Sequence, residues 1–154
     1  MTNTTIRPAE PRDAETVQRI SAAAYIPAYL SIIGAIPKPA TEDYAPRIAR
    51  GDVWLLEHDG APAGVIVLEP HAGHLLIYSV AVAPEAQRRG HAKTLLMFAD
   101  ERARKLGLRE VRLYTNVRME TNIRLYRACG FTEIGTRPHP SRPGEFLVDM
   151  AKAL

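Results

Sequence analysis

"VAVAPEAQRRGHAKTLL", residues Val80 to Leu96, passes from β-branched apolar residues through a proline and a basic, glycine-containing turn into a helical pattern. The first residues favour a strand. From Ala92 the apolar positions Leu95, Leu96, Ala99, Ala103 and Leu106 recur at helical spacing, and Gly107 is a natural stop. In the turn, Gly90 allows close approach of the main chain to a ligand, and Ala92 keeps the first helical turn small. The N–H groups at residues 88 to 93 point outward without helical acceptors, and the helix adds its partial positive end. Arg88, Arg89 and Lys93 could add charge for a diphosphate or a ribose phosphate. A solvated turn whose arginines aid solubility fits the same residues, so the rest of the chain has to decide. No rival phosphate loop is present: the patterns Gly-x-x-x-x-Gly-Lys and Gly-x-Gly-x-x-Gly are both missing.

Working outward, His74 to Ala83 reads as an almost wholly apolar strand, the pattern of one buried on both faces. Before it, Val53 to Glu57 and Gly64 to Leu68 read as strands joined through a His58-Asp59-Gly60 turn, with a second turn at Pro70 to Gly73. Further upstream, Thr5 to Pro8 is a short strand. Asp13 is an N-cap for a helix carrying Val17, Ile20, Ala24 and Ala28, which Pro27 kinks or ends. Residues 31 to 40 read as a surface loop, and Thr41-Glu42-Asp43 opens a second helix through Ile48, closed by Gly51. Downstream, Glu110 to Thr115 alternates as a strand and Thr121 to Cys129 is a short helix stopped by Gly130. Phe131 to Thr136 and Glu145 to Met150 are closing strands around a proline-rich loop. This order predicts an α/β fold built on a sheet of mixed direction, and the absence of repeats or linkers predicts one domain over residues 1–154.

Composition agrees with that class. The chain has 154 residues, 46% of them hydrophobic and 24% charged, with a formal net charge of +3, as expected of a globular domain with a proper core. The long Lys/Arg blocks of a nucleic-acid arm are absent, so no nucleic-acid partner is expected. Cys129 is the sole cysteine, which excludes an intrachain disulfide and a cysteine metal cluster. The N-terminus lacks a secretory pattern, and the longest apolar run, Leu75 to Ala83, is too short to span a bilayer. A cytoplasmic location without membrane attachment is the expectation.

A second element lies at Asn122-Ile-Arg-Leu-Tyr126-Arg-Ala-Cys-Gly130-Phe131. A lone tyrosine near a helix end is most often a core residue with a satisfied hydroxyl. Two such elements, in this order and each in a strand–loop–helix setting, carry more. The sequence resembles the GCN5-related N-acetyltransferase (GNAT) family. That family's signature Gln/Arg-x-x-Gly-x-Gly/Ala after a strand is Gln87-Arg-Arg-Gly90-His-Ala92 here, and its Leu-Tyr-x-x-x-Gly-Phe is Leu125-Tyr126-Arg-Ala-Cys-Gly130-Phe131. The resemblance runs from Ile6-Arg7-Pro8 to Leu147-Val148-Asp149-Met150.

The resemblance implies the GNAT acyl-CoA N-acyltransferase fold, a mixed, mostly antiparallel sheet splayed at its central parallel strands and flanked by about four helices. It implies acetyl-CoA as acyl donor, without a metal, in a cleft where His74–Ala83 and Glu110–Thr115 part. The pantetheine arm would pair with main-chain groups of Val80, Ala81 and Val82, and the diphosphate would lie on the amides of Arg88, Arg89, Gly90, His91, Ala92 and Lys93. A backbone N–H near Val82 would serve the developing oxyanion, and Tyr126 would protonate the leaving thiolate. The acceptor is a primary amine of a small metabolite, peptide or protein, shaped by Ile32–Ala40, the second helix and residues 137–144. A homodimer is compatible with the family.

The chain also departs from the family pattern. Positions that often carry a glutamate are Leu76, Tyr78 and Tyr114, which leaves Glu69, or Tyr78 and Tyr114 through water, as candidates for the base. Met119 stands where relatives often place a CoA-binding asparagine, with Asn116 and Asn122 as nearby substitutes. The missing carboxylates motivate an alternative, a non-catalytic acyl-CoA sensor or regulatory module. His71 and His74 have metal-like spacing without a third ligand, Cys129 lacks a partnered histidine, and His139 reads as a surface-loop residue.

Overall fold

The computed structural model describes residues 3–154. Seven strands form one mixed sheet in the order β1-β2-β3-β4-β5-β7-β6. They are β1 (Thr4–Pro8), β2 (Val53–His58), β3 (Ala61–His71), β4 (His74–Val82), β5 (Glu110–Asn116), β6 (Thr132–Pro138) and β7 (Phe146–Ala153). Four α-helices accompany them: α1 (Ala14–Ile32), α2 (Ala45–Ala49), α3 (His91–Lys105) and α4 (Glu120–Ala128). The β1/β2, β2/β3, β5/β7 and β6/β7 pairs are antiparallel. The β4/β5 pair is parallel, and its ladder is confined to Leu75↔Val111 and Leu76↔Arg112.

By packing the chain divides into two units, and the division falls inside β3 and β4. The first holds residues up to Leu68 together with Ser79–Met97. Its core comprises Val17 and Ile20 of α1, Val53, Leu55 and Leu56 of β2, Val65, Ile66 and Val67 of β3, and Leu95 and Leu96 of α3. β3 is buried without interruption from Ala63 to Leu68, the pattern of a strand covered on both faces. Gly64 lets α3 come down on it: a Cβ there would lie 3.0 Å from Leu95 Cδ1 and 3.2 Å from the Ala81 carbonyl. The sequence pattern assigned two-sided burial to β4 instead. In the structure β4 alternates, with Leu75, Ile77, Ser79 and Ala81 buried and the intervening residues half-buried.

Asp13 is the N-cap residue of α1, as expected, but its side chain is engaged elsewhere and makes no cap bond there. Its carboxylate accepts the Glu10 N–H at 2.7 Å and takes both terminal nitrogens of Arg7, at 2.8 and 3.1 Å. Arg7 reaches Glu57 as well, at 2.9 Å. The bidentate fork from Arg7 takes the carboxylate in place of a cap bond to α1, and it holds the Asp13 carboxyl below the usual carboxylate range. Pro27 neither ends α1 nor confines residues 31–40 to loop, since the helix runs on to Ile32 and a 3-10 turn forms at Lys38–Ala40. A proline removes one main-chain donor from the helix without ending it here. Finally, β3 passes through Pro70, so the turn before β4 narrows to Ala72-Gly73.

The second unit holds Glu69–Tyr78 and Phe98–Leu154. Its core gathers Leu75 of β4, Ala99 and Ala103 of α3, Val111 and Leu113 of β5, Phe131, and Val148 and Met150 of β7. Lys152 Nζ meets the buried Asp100 carboxylate at 2.5 Å. Among the described residues, no helix is long and apolar enough to cross a membrane.

The Gly64 contact sets a test of the packing. The Ala81 carbonyl belongs to the main chain and cannot rotate away, so Gly64→Ala is expected to lower stability by about 1–3 kcal/mol, as overpacking of a close-packed interior does. Urea denaturation of the two proteins measures it, and an unchanged midpoint would refute the close approach of α3 to β3.

Candidate active site

In the first unit, β4 ends at Val82, a 3-10 turn covers Pro84–Ala86, and α3 begins at His91. Arg88 and Gly90 both have positive φ, 65° and 81°. The first main-chain bond of the helix is Thr94 N–H to Gly90 O, at 3.1 Å, and no N–H from Arg88 to Lys93 donates to a main-chain acceptor. A Cβ added at Gly90 would meet nothing within 4 Å, so this glycine is required by its dihedral and not by crowding. Arg88, Arg89 and Lys93 are exposed beside these donors. His91 differs: its side chain is buried, its ring lies 5.1 Å from that of His58, and its Nε2 has no hydrogen-bond partner. Burial first, then the charges of His58 and Arg89, lower its pKa, so the imidazole is neutral at neutral pH. His91 can therefore offer the loop its backbone N–H, while its ring serves the interior.

The edge of β4 is engaged by Tyr25 and Ser79, which the sequence did not single out, and by Gln87 of the signature. Tyr25 of α1 donates its hydroxyl hydrogen to Val80 O at 3.0 Å and accepts from Val80 N–H at 3.2 Å. The Ser79 hydroxyl donates to the same oxygen at 3.2 Å. Gln87 Nε2 donates to Val82 O at 3.2 Å. Tyr25 and Tyr29 sit one helical turn apart with ring centroids 5.7 Å apart. That i, i+4 spacing was the only trace of this arrangement in the sequence.

In the second unit, the tyrosine motif is a helix-ending device. Gly130 N–H bonds to Arg127 O and Phe131 N–H to Tyr126 O, each at 3.0 Å, which is the Schellman pair. Gly130, with φ 97°, supplies the left-handed residue the motif needs. Tyr126 and Phe131 then occupy the two positions that pack together in such an ending, and their rings meet edge to face at 6.2 Å. The spacing Tyr-x-x-x-Gly-Phe thus fixes a buried tyrosine ring at the end of α4.

Around it, Asn116 is buried and held in place: its Oδ1 accepts Arg118 N–H at 3.0 Å and its Nδ2 donates to Glu145 at 3.2 Å. Asn122 is half-buried on the first turn of α4. Tyr114 lies against a cavity of about 320 Å³ that also exposes Leu76, Arg112 and Asp149. The Arg137 guanidinium sits 5.0 Å above the Tyr114 ring and is forked onto Asp149 at 2.9 and 3.2 Å. Glu69 is hydrogen-bonded to His71 at 3.3 Å. His71 and His74 stack with centroids 5.0 Å apart, and among the described residues no group of three or more His, Cys, Asp or Glu gathers around a metal position. Cys129 is the cap residue of α4. His139 organises its own loop, accepting Ser141 N–H on Nδ1 at 3.1 Å and donating its main-chain N–H to Glu145 O at 2.8 Å.

Comparison with known proteins bears on what these features have in common. A model of the Acetyltransferase (GNAT) family matches residues 22–131. The chain belongs to that family. A mycothiol acetyltransferase from Pseudarthrobacter chlorophenolicus is 43% identical over 56 residues, covering 36% of this chain and 17% of the relative. A probable N-acetyltransferase 14 from Xenopus tropicalis is 30% identical over 91 residues, covering 57% and 44%. The chain thus spans less than half the length of either relative. Among solved structures, the PaiA N-acetyltransferase of Thermoplasma acidophilum in complex with coenzyme A has the same fold, with a TM-score of 0.79, 21% identity and 99% of both chains covered. The mixed α/β GNAT fold expected from the sequence is therefore the fold of this protein.

The dihedral of Gly90 gives a measurable consequence. With open space around it, Gly90→Ala is opposed only by the left-handed conformation, a cost of about 1–2 kcal/mol for a residue with a Cβ. Chemical denaturation is expected to show that loss, and Gly90→Asn a smaller one. Equal stability of all three would mean the loop does not hold that dihedral.

Proposed function

We propose that this GNAT chain is an acetyl-CoA-dependent N-acetyltransferase acting as a single domain, moving an acetyl group directly from the thioester to a primary amine. The observation that carries the proposal is the run of main-chain N–H groups from Arg88 to Lys93 without main-chain acceptors, beside exposed Arg88, Arg89 and Lys93. A doubly charged diphosphate is the natural complement of such a run at a helix start. The residues fit the group: Gly90 lies among these donors with nothing within 4 Å of a Cβ built on it, and the buried His91 ring does not compete for the ligand.

Chemistry then follows from the groups the chain supplies. An alkyl ammonium has a pKa near ~10.4 and must lose a proton before its nitrogen can attack. The base is left among Glu69, Tyr78 and Tyr114, with a water chain as the simplest relay. A main-chain N–H of β4 near Val82 donates to the oxygen on which negative charge develops. Tyr126 gives a proton to the departing thiolate sulfur; in support of this reading, its ring is packed edge to face on Phe131 at the helix ending. Coenzyme A bound to the Thermoplasma acidophilum relative supports the choice of donor.

Two variants test the assignment in different ways. Gly90→Glu places a carboxylate among the N–H donors and is expected to raise the dissociation constant for acetyl-CoA by at least about tenfold, read by calorimetry. Unchanged affinity would move the diphosphate elsewhere. Tyr126→Phe is expected to lower kcat by ~10²–10⁴-fold in a thiol-release assay across an amine panel, the usual span for a positioned proton donor. A variant as fast as the wild type would remove Tyr126 from the mechanism.

A further inference from the structure

The β4 edge carries an arrangement that the proposed chemistry does not use. Ala83 N–H donates to Ala63 O of β3 at 2.8 Å, so by strand alternation Ala81 and Ala83 direct their main-chain groups toward β3, and Val80 and Val82 direct theirs to the opposite edge. The parallel ladder on that opposite edge ends at Leu76. Unpaired main-chain donors and acceptors along an edge invite another extended chain. Here Val80 is answered by a single atom. The Tyr25 hydroxyl accepts Val80 N–H, donates to Val80 O and accepts from Ser79 Oγ, which uses its full hydrogen-bonding capacity. A hydroxyl does with one oxygen what an amide-bearing chain does with its C=O and N–H. Burial raises the pKa of this phenol, so it remains a donor at neutral pH.

We propose that the Tyr25 hydroxyl is a placeholder on β4, which yields the Val80 N–H and C=O to the amide-bearing pantetheine arm of acyl-CoA when it binds. The inference rests on the acyl-CoA reading above and makes Tyr25 a positioning residue that sets ligand affinity. Any contact that must be broken before a ligand seats weakens the apparent affinity by the fraction of molecules that hold it. Two neutral hydrogen bonds of ordinary net strength correspond to roughly 5- to 150-fold.

The test compares wild type with Tyr25→Phe, which keeps the ring and removes the hydroxyl, using coenzyme A and adenosine 3′,5′-bisphosphate as probes in calorimetry. The second probe lacks the pantetheine arm. A placeholder predicts coenzyme A binding at least about fivefold tighter in Tyr25→Phe, with the bisphosphate bound equally by both proteins. Ser79→Ala, which removes one partner of the phenol and leaves Val80 intact, should shift coenzyme A affinity in the same direction by less. It serves where Tyr25→Phe folds poorly. Coenzyme A affinity that is unchanged or weaker in both variants overturns the proposal, as does equal tightening for the bisphosphate, since the effect would then not lie at Val80. Failure of the acyl-CoA reading looks different: neither probe binds the wild-type protein, and the placeholder falls with it.

Discussion

The structure turns on main-chain hydrogen bonding where β4 runs out into α3. A strand whose parallel partner pairs with it only at Leu75 and Leu76, followed by a helix whose first N–H groups lack acceptors, leaves a continuous row of polar main chain to be satisfied. Side chains satisfy part of it. Tyr25 answers Val80 and Gln87 answers the Val82 carbonyl. Among the described residues the N–H groups from Arg88 to Lys93 find no main-chain acceptor, and Arg88 and Gly90 within that stretch have positive φ. The proposed anion site is thus written first in the backbone, with Arg88, Arg89 and Lys93 exposed beside it.

The same logic of chain ends governs the tyrosine motif. Gly130 and Phe131 close α4 through two main-chain bonds, and the closure brings the Phe131 ring against Tyr126. The ring contact between Tyr126 and Phe131 is thereby made by residues only five positions apart. The same pair of bonds ends α2 at Gly51 and Asp52, and α3 at Gly107 and Leu108. What distinguishes α4 is an aromatic pair at the two positions that touch.

Much of this was legible in the sequence because it is local. The strand-to-helix passage at Val80–Leu96, the glycine stops and the short strand–turn–strand segments depend on residues within one or two turns of each other. The departures were of another kind. Asp13 is the N-cap residue that its type suggests, yet its carboxylate went to Arg7, six residues earlier, and to the Glu10 N–H, because a charge-assisted fork was within reach. Pro27 reads as a residue that kinks or ends the helix, yet α1 continues through it to Ile32. Apolar content suggested that β4 is the doubly covered strand. The glycine at position 64 and the descent of α3 made it β3.

The sequence by itself determined the family, the order of elements and the two motifs, since each is encoded by spacing along the chain. Only the tertiary structure decided which groups of β4 are already engaged, which asparagine is tied up in its own turn, and which histidine turns inward. Asn116 bonds to Glu145 and His91 packs on His58, contacts between residues 29 and 33 positions apart. Hydrogen bonds and burial across such separations depend on how strands register and helices land, and no local pattern records that. Periodicity can say that a residue faces inward, but the partner it meets there is chosen by the fold.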